Sequence, residues 1–194
     1  MDLEAHKERR VNEIAALKVA ILASARDMAK KEGWTKVSIR KIAKEVQYTP
    51  PVIYEHFKNK EAILINLEEH GFRQLRYRLE EIAEKHAAPL PRLLAISEAY
   101  WEWAFDNREL YEVMFNLDGV RCSQPNTQAL RESGQCVIET LKQIHLFSSG
   151  LEELFFNWWA LMHGHVSLIL SGQVPGMSHE LKGYMKSAVT RFGV

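Results

Sequence analysis

Cysteine is nearly absent: the chain of 194 residues has two, Cys122 and Cys136. That excludes a disulfide-stapled scaffold and any four-cysteine zinc site. Net charge is absent as well, with 25 lysines and arginines against 25 aspartates and glutamates, so overall charge points to no partner. Six prolines and ten glycines are too few for a flexible, low-complexity protein. No internal repeat occurs, and no stretch sustains the period-two alternation of a half-buried strand, so a sheet is not expected. The chain shows no nucleophile–base pair, no metal-ligand spacing and no glycine-rich phosphate loop. No catalytic residue, metal site or cofactor is therefore expected, and the chain does not read as an enzyme. His163 and His165 stand two apart, on opposite faces of a helix, and cannot share a metal ion. The start, Met1-Asp2-Leu3-Glu4, lacks the basic residues and apolar run of a secretory signal, which makes a reducing cytoplasm the expected compartment.

Long uncharged runs are also rare. One, over residues 154–172, reads LFFNWWALMHGHVSLILSG and has the length to span a bilayer. Asn157, His163, His165, Ser167 and Ser171 interrupt it, and Glu152 and Glu153 precede it rather than lysine or arginine. No membrane association is expected. A helix apolar on all sides must otherwise be buried on all sides, and in so small a chain that calls for a second subunit.

What the sequence does have is apolar content, at 46 %, and an uneven distribution of charge. Residues 1–60 carry 13 basic and 8 acidic side chains, whereas residues 61–194 carry 12 and 17. A basic first third on an acidic remainder suits a protein with one end on a polyanion. Apolar residues recur at helical spacing almost throughout. Ile14, Leu17, Ile21, Ala25 and Met28 make the inner face of a first helix, stopped by Gly33. Ile39, Ile42, Ala43 and Val46 make a second, capped by Ser38. Ile53 and Phe57 pair in a third, with Thr49 as cap and Pro50 and Pro51 in the first turn. Further helices are expected over about 59–86, 90–106, 107–116, 127–146, 150–172 and 178–192, with residues 118–126 as a loop. The expected fold is all-α, with about nine helices in two domains, 1–60 and 61–194. Trp34, in the first connection, reads as core.

The turn between the second and third helices is too short to let them lie antiparallel. That is the helix-turn-helix arrangement, whose second member enters the major groove. Burying the two apolar faces against each other leaves hydrogen-bonding and basic groups outward, suited to phosphates and base edges. The candidate DNA-binding residues are Ser38, Arg40, Lys44, Thr49, Pro50, Tyr54, His56, Lys58 and Lys60. Lys58 and Lys60 extend the basic surface to the start of the fourth helix, whose free N–H groups also attract phosphate. The bland competitor, a helical corner of a bundle, does not account for so many outward basic groups.

The run Ser38-Ile-Arg-Lys-Ile-Ala43, followed by Thr49-Pro-Pro-Val-Ile-Tyr54-Glu-His56-Phe57-Lys-Asn-Lys60-Glu-Ala, resembles the DNA-binding domain of TetR-type transcriptional regulators. The family usually has glycine where Gln47 stands, and often a small residue where Pro51 stands. Further on, Ala99-Tyr-Trp101-Glu-Trp103-Ala-Phe105, Glu109-Leu-Tyr111-Glu-Val-Met114-Phe115 and Trp159-Ala-Leu-Met-His163-Gly164 resemble family members with a C-terminal Trp…His-Gly signature. The resemblance implies a ligand-responsive regulator, more often a repressor. It would bind palindromic double-stranded DNA as a homodimer, with a ligand-binding and dimerisation domain after the helix-turn-helix.

Four of the five tryptophans fall after residue 100. Trp103, Phe115, Phe155, Trp159 and His163 are the candidate lining of a site for a small apolar or aromatic ligand. Plain core packing is the competing reading, and for His163 a hydrogen-bonded core histidine. Leu161, Leu168, Met185, Val189 and Phe192, on the last two helices, are the candidate dimer contacts, pairing with their symmetry mates in a four-helix bundle. A thiol sensor at Cys122 or Cys136 is a weaker alternative. The rival functions are a helical enzyme or redox protein using the aromatic cluster, and a DNA-binding protein with no small-molecule ligand.

Overall fold

The structure is a computed structural model that describes residues 2–117, 119–120, 126–144 and 150–193. The expected positions Asp118, 121–125 (with Cys122) and 145–146 lie outside the described residues. Among the described residues there is no strand, and ten α-helices follow one another. They are α1 (Asp2–Glu32), α2 (Ile39–Glu45), α3 (Pro50–His56), α4 (Lys60–Glu84), α5 (Pro89–Asp106), α6 (Arg108–Met114), α7 (Thr127–Ser133), α8 (Gln135–Ile144), α9 (Leu151–Leu170) and α10 (Ser178–Thr190). Short 3-10 turns at Trp34–Lys36 and Arg191–Gly193 complete the order.

The expected count of nine becomes ten because the helix expected over 127–146 is two, broken at Gly134. The ring of Phe155, on α9, lies against that backbone so closely that a Cβ on Gly134 would sit 2.2 Å from its Cε2. Only glycine admits the ring. An apolar periodicity reports which face is inward, and not that a ring from another helix will press into the backbone.

The chain divides into two compact units. The first comprises Met1–Glu69 and Glu109–Gln124, the second His70–Arg108 and Pro125–Val194. In the first unit Ile21 and Ala25 of α1, Ile42 of α2, Ile53 of α3 and Ile63 of α4 are all fully buried. Trp34 is core, as its neighbours require. Gly33 ends α1 with a positive φ of 78°. The inner face of α1 is shorter than its pattern suggests: Ile14 is exposed, and burial begins in earnest at Ile21. The cause is length. Helices α2 and α3 have seven residues each, about 10 Å apiece at 1.5 Å per residue, and cannot cover the 31 residues of α1.

The turn between α2 and α3 is a Schellman motif. The N–H of Tyr48 donates to the Ala43 carbonyl at 2.9 Å and that of Gln47 to Lys44 at 3.3 Å. The motif needs a left-handed residue, and Gln47 has φ 60°. The second unit packs α5, α8, α9 and α10 about one another. Its fully buried side chains include Leu93, Ile96, Val137, Leu141, Met162 and Val166.

Candidate functional site

The helix-turn-helix is built from two short, well-anchored helices. Ser38 caps α2, its Oγ accepting the Lys41 N–H at 3.4 Å. Ile39, Ile42 and Ala43 turn inward, which leaves Arg40, Lys41 and Lys44 exposed. Thr49 occupies the cap position of α3, but its carbonyl, not its hydroxyl, meets the helix: it accepts the Val52 N–H at 3.1 Å. The hydroxyl, expected to cap, makes no capping bond. Pro50 and Pro51 open α3 in the first turn, where an N–H would have had no intrahelical acceptor. With Ile53 fully buried, Tyr54 on the next position is forced outward and is 54 % exposed. His56 and Pro50 are half-buried and Lys58 is exposed.

Lys60 is drawn inward. Its ammonium donates to the Trp34 carbonyl at 2.6 Å, and burial pushes its pKa down. With three N–H donors it retains capacity for a second acceptor. Lys41 pairs with Glu32 at 2.7 Å, and that hydrogen bond and charge hold the Glu32 carboxyl below the usual range. A pocket of about 530 Å³ adjoins Trp34, Thr35, Lys60 and Leu64 in the same unit.

The candidate ligand residues are divided between the two units. Phe115 belongs to the first unit, tilted over Tyr111 with ring centroids 4.6 Å apart. Trp103, Phe155, Trp159 and His163 belong to the second. Phe155 is buried against Gly134, and Trp103 is buried in α5. Trp159 and His163, one turn apart on α9, stack with centroids 5.4 Å apart and planes at 21°. The His163 Nε2 lies 3.2 Å from the Ser167 hydroxyl, and burial pushes the imidazole pKa below its ordinary value. Burial thus favours the neutral imidazole.

Trp158, which the sequence reading passed over, is the buried tryptophan of α9. Its Nε1 donates to Ser97 Oγ at 2.8 Å, and its ring meets Tyr100 edge-on at 5.7 Å. Glu109 was missed too. This buried carboxylate meets Arg26 at 2.5 Å across 83 residues of sequence, and no local pattern announces a pair so distant.

On the candidate dimer face, Leu168 is exposed while Leu161 and Phe192 are half-buried. Met185 and Val189 need correction: both are 0 % exposed within the single chain. With Leu181 they form the i, i+4, i+8 stripe by which α10 packs into its own unit, so they have no surface to offer a second copy. Lys182–Glu102 at 3.2 Å and a Lys186–Glu98 pair fasten the same helix to α5. Tyr184 of α10 and Phe156 of α9 are the exposed large apolar groups there instead.

The Cys136 thiol is buried and pushed up to about 12, chiefly by desolvation and next by the charge of Glu80, so it carries no thiolate at neutral pH. Among the described residues no helix is long and apolar enough to cross a membrane, and no group of His, Cys, Asp and Glu could hold a metal ion.

Comparison with known proteins agrees with this geometry. No curated protein matches the chain. A solved Rhodococcus sp. RHA1 protein of unknown function superposes with a TM-score of 0.76 at 22 % identity, over 90 % of this chain and 94 % of that one. The transcriptional regulator FadR of Bacillus subtilis, solved with stearoyl-CoA, gives 0.67 at 19 % identity, over 91 % and 98 %. RolR, solved with resorcinol, gives 0.66 at 12 % identity, over 94 % and 95 %. At such identities the likeness is one of fold. Family models go further. That of the bacterial regulatory proteins of the tetR family matches residues 21–67, spanning α2, α3 and the turn between them, and that of the tetracyclin repressor-like C-terminal domain matches residues 93–192, over half the chain. With a helix-turn-helix of the required build at one end and a helical domain of the matching type at the other, the chain belongs to the tetR family of bacterial regulatory proteins.

Proposed function

We propose that this regulator is a cytoplasmic, non-enzymatic repressor that binds a palindromic operator as a homodimer and releases it when a small apolar or aromatic ligand binds. The observation that carries the reading is the outward set of hydrogen-bonding and basic groups on α2 and α3. Ser38, Arg40, Lys44, Thr49 and Lys58 suit phosphates, and Tyr54 and His56 suit phosphates or base edges. Thr49 gains weight from its hydroxyl making no capping bond. We assign DNA binding to residues 1–60 and ligand binding and dimerisation to residues 61–194. In the ligand domain, the Trp159–His163 stack offers an aromatic face beside a neutral imidazole. That is the combination for a largely apolar ligand with one polar group. The acyl chain of stearoyl-CoA and the ring of resorcinol, in the two solved regulators named above, are apolar and aromatic groups of the kind such a face would take.

The test is fluorescence anisotropy with labelled duplexes selected by the protein from a random-sequence pool, then repeated with stearoyl-CoA and with resorcinol. Selection of a two-fold symmetric sequence supports the operator reading, and failure to enrich any sequence overturns it. A loss of affinity with either compound identifies its chemical class as that of the effector.

A further inference from the structure

We propose that the cavity beside Lys60 is a small-molecule site inside the first unit, for a monocarboxylate with a flat apolar body. The carboxylate pairs with Lys60, and the body lies against Trp34, Leu64 and Val120. The site goes beyond the reading above: the Trp159–His163 stack belongs to the second unit, and nothing in this site depends on DNA.

Three segments of the first unit form the cavity: the 3-10 turn after α1, the start of α4, and residues 119–120. Its volume of about 530 Å³ falls within the range of about 300–1,000 Å³ common to small-molecule sites. Trp34, Leu64 and Val120 supply apolar walls. All three are buried, so the packing around them holds the walls in place. The Trp34 ring is fixed further by its indole N–H, which donates to the Glu109 carbonyl at 2.9 Å. At Gly119, with φ 73°, the lining has no side chain, and nothing lies within 4 Å of where a Cβ would stand. That edge of the cavity is open to a flat group.

Lys60 supplies the charge. Its Nζ donates to the Trp34 carbonyl at 2.6 Å, which holds the ammonium at the cavity and uses one of its three N–H donors. Burial pushes the Lys60 pKa down, because the cation has lost part of its water. A carboxylate restores what burial removes, by opposite charge and by accepting the remaining donors. A neutral amide can do only the second. Water can also accept from the ammonium, but it gains nothing from the apolar walls, whereas an apolar body does. Glu61 also lines the cavity. Its negative charge opposes a second one on the occupant, which favours a monocarboxylate over a dianion. An aromatic monocarboxylate meets all of these conditions.

The test uses isotope-labelled full-length protein with assigned amide and indole resonances, titrated with naphthoate, naphthamide and acetate. Naphthoate shifts the Trp34 indole signal and the amides of residues 34–35, 60–64 and 119–120, and the shifts saturate. Naphthamide, the same shape without the charge, and acetate, the charge without the body, each bind more weakly by about tenfold or more. Lys60→Met keeps the apolar stem and removes the ammonium. With native helicity by circular dichroism, it binds naphthoate more weakly by about tenfold or more and no longer prefers it to the amide. The three-compound comparison on wild type stands whether or not that variant folds. Naphthoate shifts that are absent from those residues, or that appear only in the second unit, overturn the site. So does equal affinity for naphthoate and either control compound, or undiminished naphthoate binding by Lys60→Met.

Discussion

At the scale of single residues, two side chains sit where the backbone or the solvent does not favour them. Gln47 holds φ 60° to complete the turn between α2 and α3. A residue with a Cβ pays about 1–2 kcal/mol for that conformation, and glycine avoids it, though glycine also loses more freedom on folding. Gln47→Gly is therefore expected to stabilise the fold by about 1 kcal/mol, read as a higher midpoint in urea with an unchanged slope. A lower midpoint would show that the Gln47 side chain contributes more than its strain costs. His163 gives a pH dependence. Burial lowers its pKa from the ordinary 6.5, so the unfolded chain binds the proton more readily. Its contribution is intact above the unfolded pKa and is lost as pH falls through the lower folded one. Wild-type stability should fall more steeply than that of His163→Gln as pH drops from 7 towards 5. Parallel thermal-melting profiles would exclude the effect.

At the scale of elements, the helices divide by what their apolar faces are used for. The stripe Leu181, Met185 and Val189 of α10 is consumed inside the unit, so any dimer must use other surface. Helix α9 leaves Phe156 at 42 % and Leu168 at 39 % exposure while Phe155, Trp158, Met162 and Val166 face inward. Leu168→Glu puts a charge on that outer face without touching the core. It should convert a dimer to monomer in sedimentation at micromolar concentration, with helicity retained, whereas Met185→Glu should unfold the unit. A wild-type monomer, or a Leu168→Glu dimer, would remove α9 from the interface. Helices α7 and α8 depend on Gly134 in another way. Gly134→Ala drives a methyl into the Phe155 ring, and overpacking of this kind costs about 1–3 kcal/mol, measurable as a lowered urea midpoint.

At the scale of the whole molecule, a neutral chain carries a basic first third. If that third binds phosphates, affinity for any duplex falls with salt. For about six to ten phosphate contacts the loss is roughly three to five orders of magnitude between 50 and 200 mM. Tyr54→Ala is expected to weaken the selected duplex at least tenfold, about the 1–3 kcal/mol of a good base-edge contact, and to leave the slope of the salt dependence little changed. Lys58→Ala should weaken all duplexes alike and reduce that slope by about one. Salt-independent affinity would exclude the electrostatic mode altogether.

Much of this was legible in the sequence, because it depends on neighbours in the chain. The all-α class, the Ser38 cap, the Pro50–Pro51 opening of α3 and the outward Tyr54 all follow from spacing of three or four residues and from local backbone chemistry, whereas the special position of Gln47 was marked only by the glycine usual there in the family it resembles. The break at Gly134, the inward stripe of α10, the short inner face of α1 and the Glu109 anchor did not follow, because each is set by a partner far away in sequence. Periodicity shows that a side of a helix is apolar. Which surface covers it, the chain's own or a second copy's, is decided only when the helices pack. The same holds for charge: Glu109 looks like a solvated carboxylate until folding buries it against Arg26.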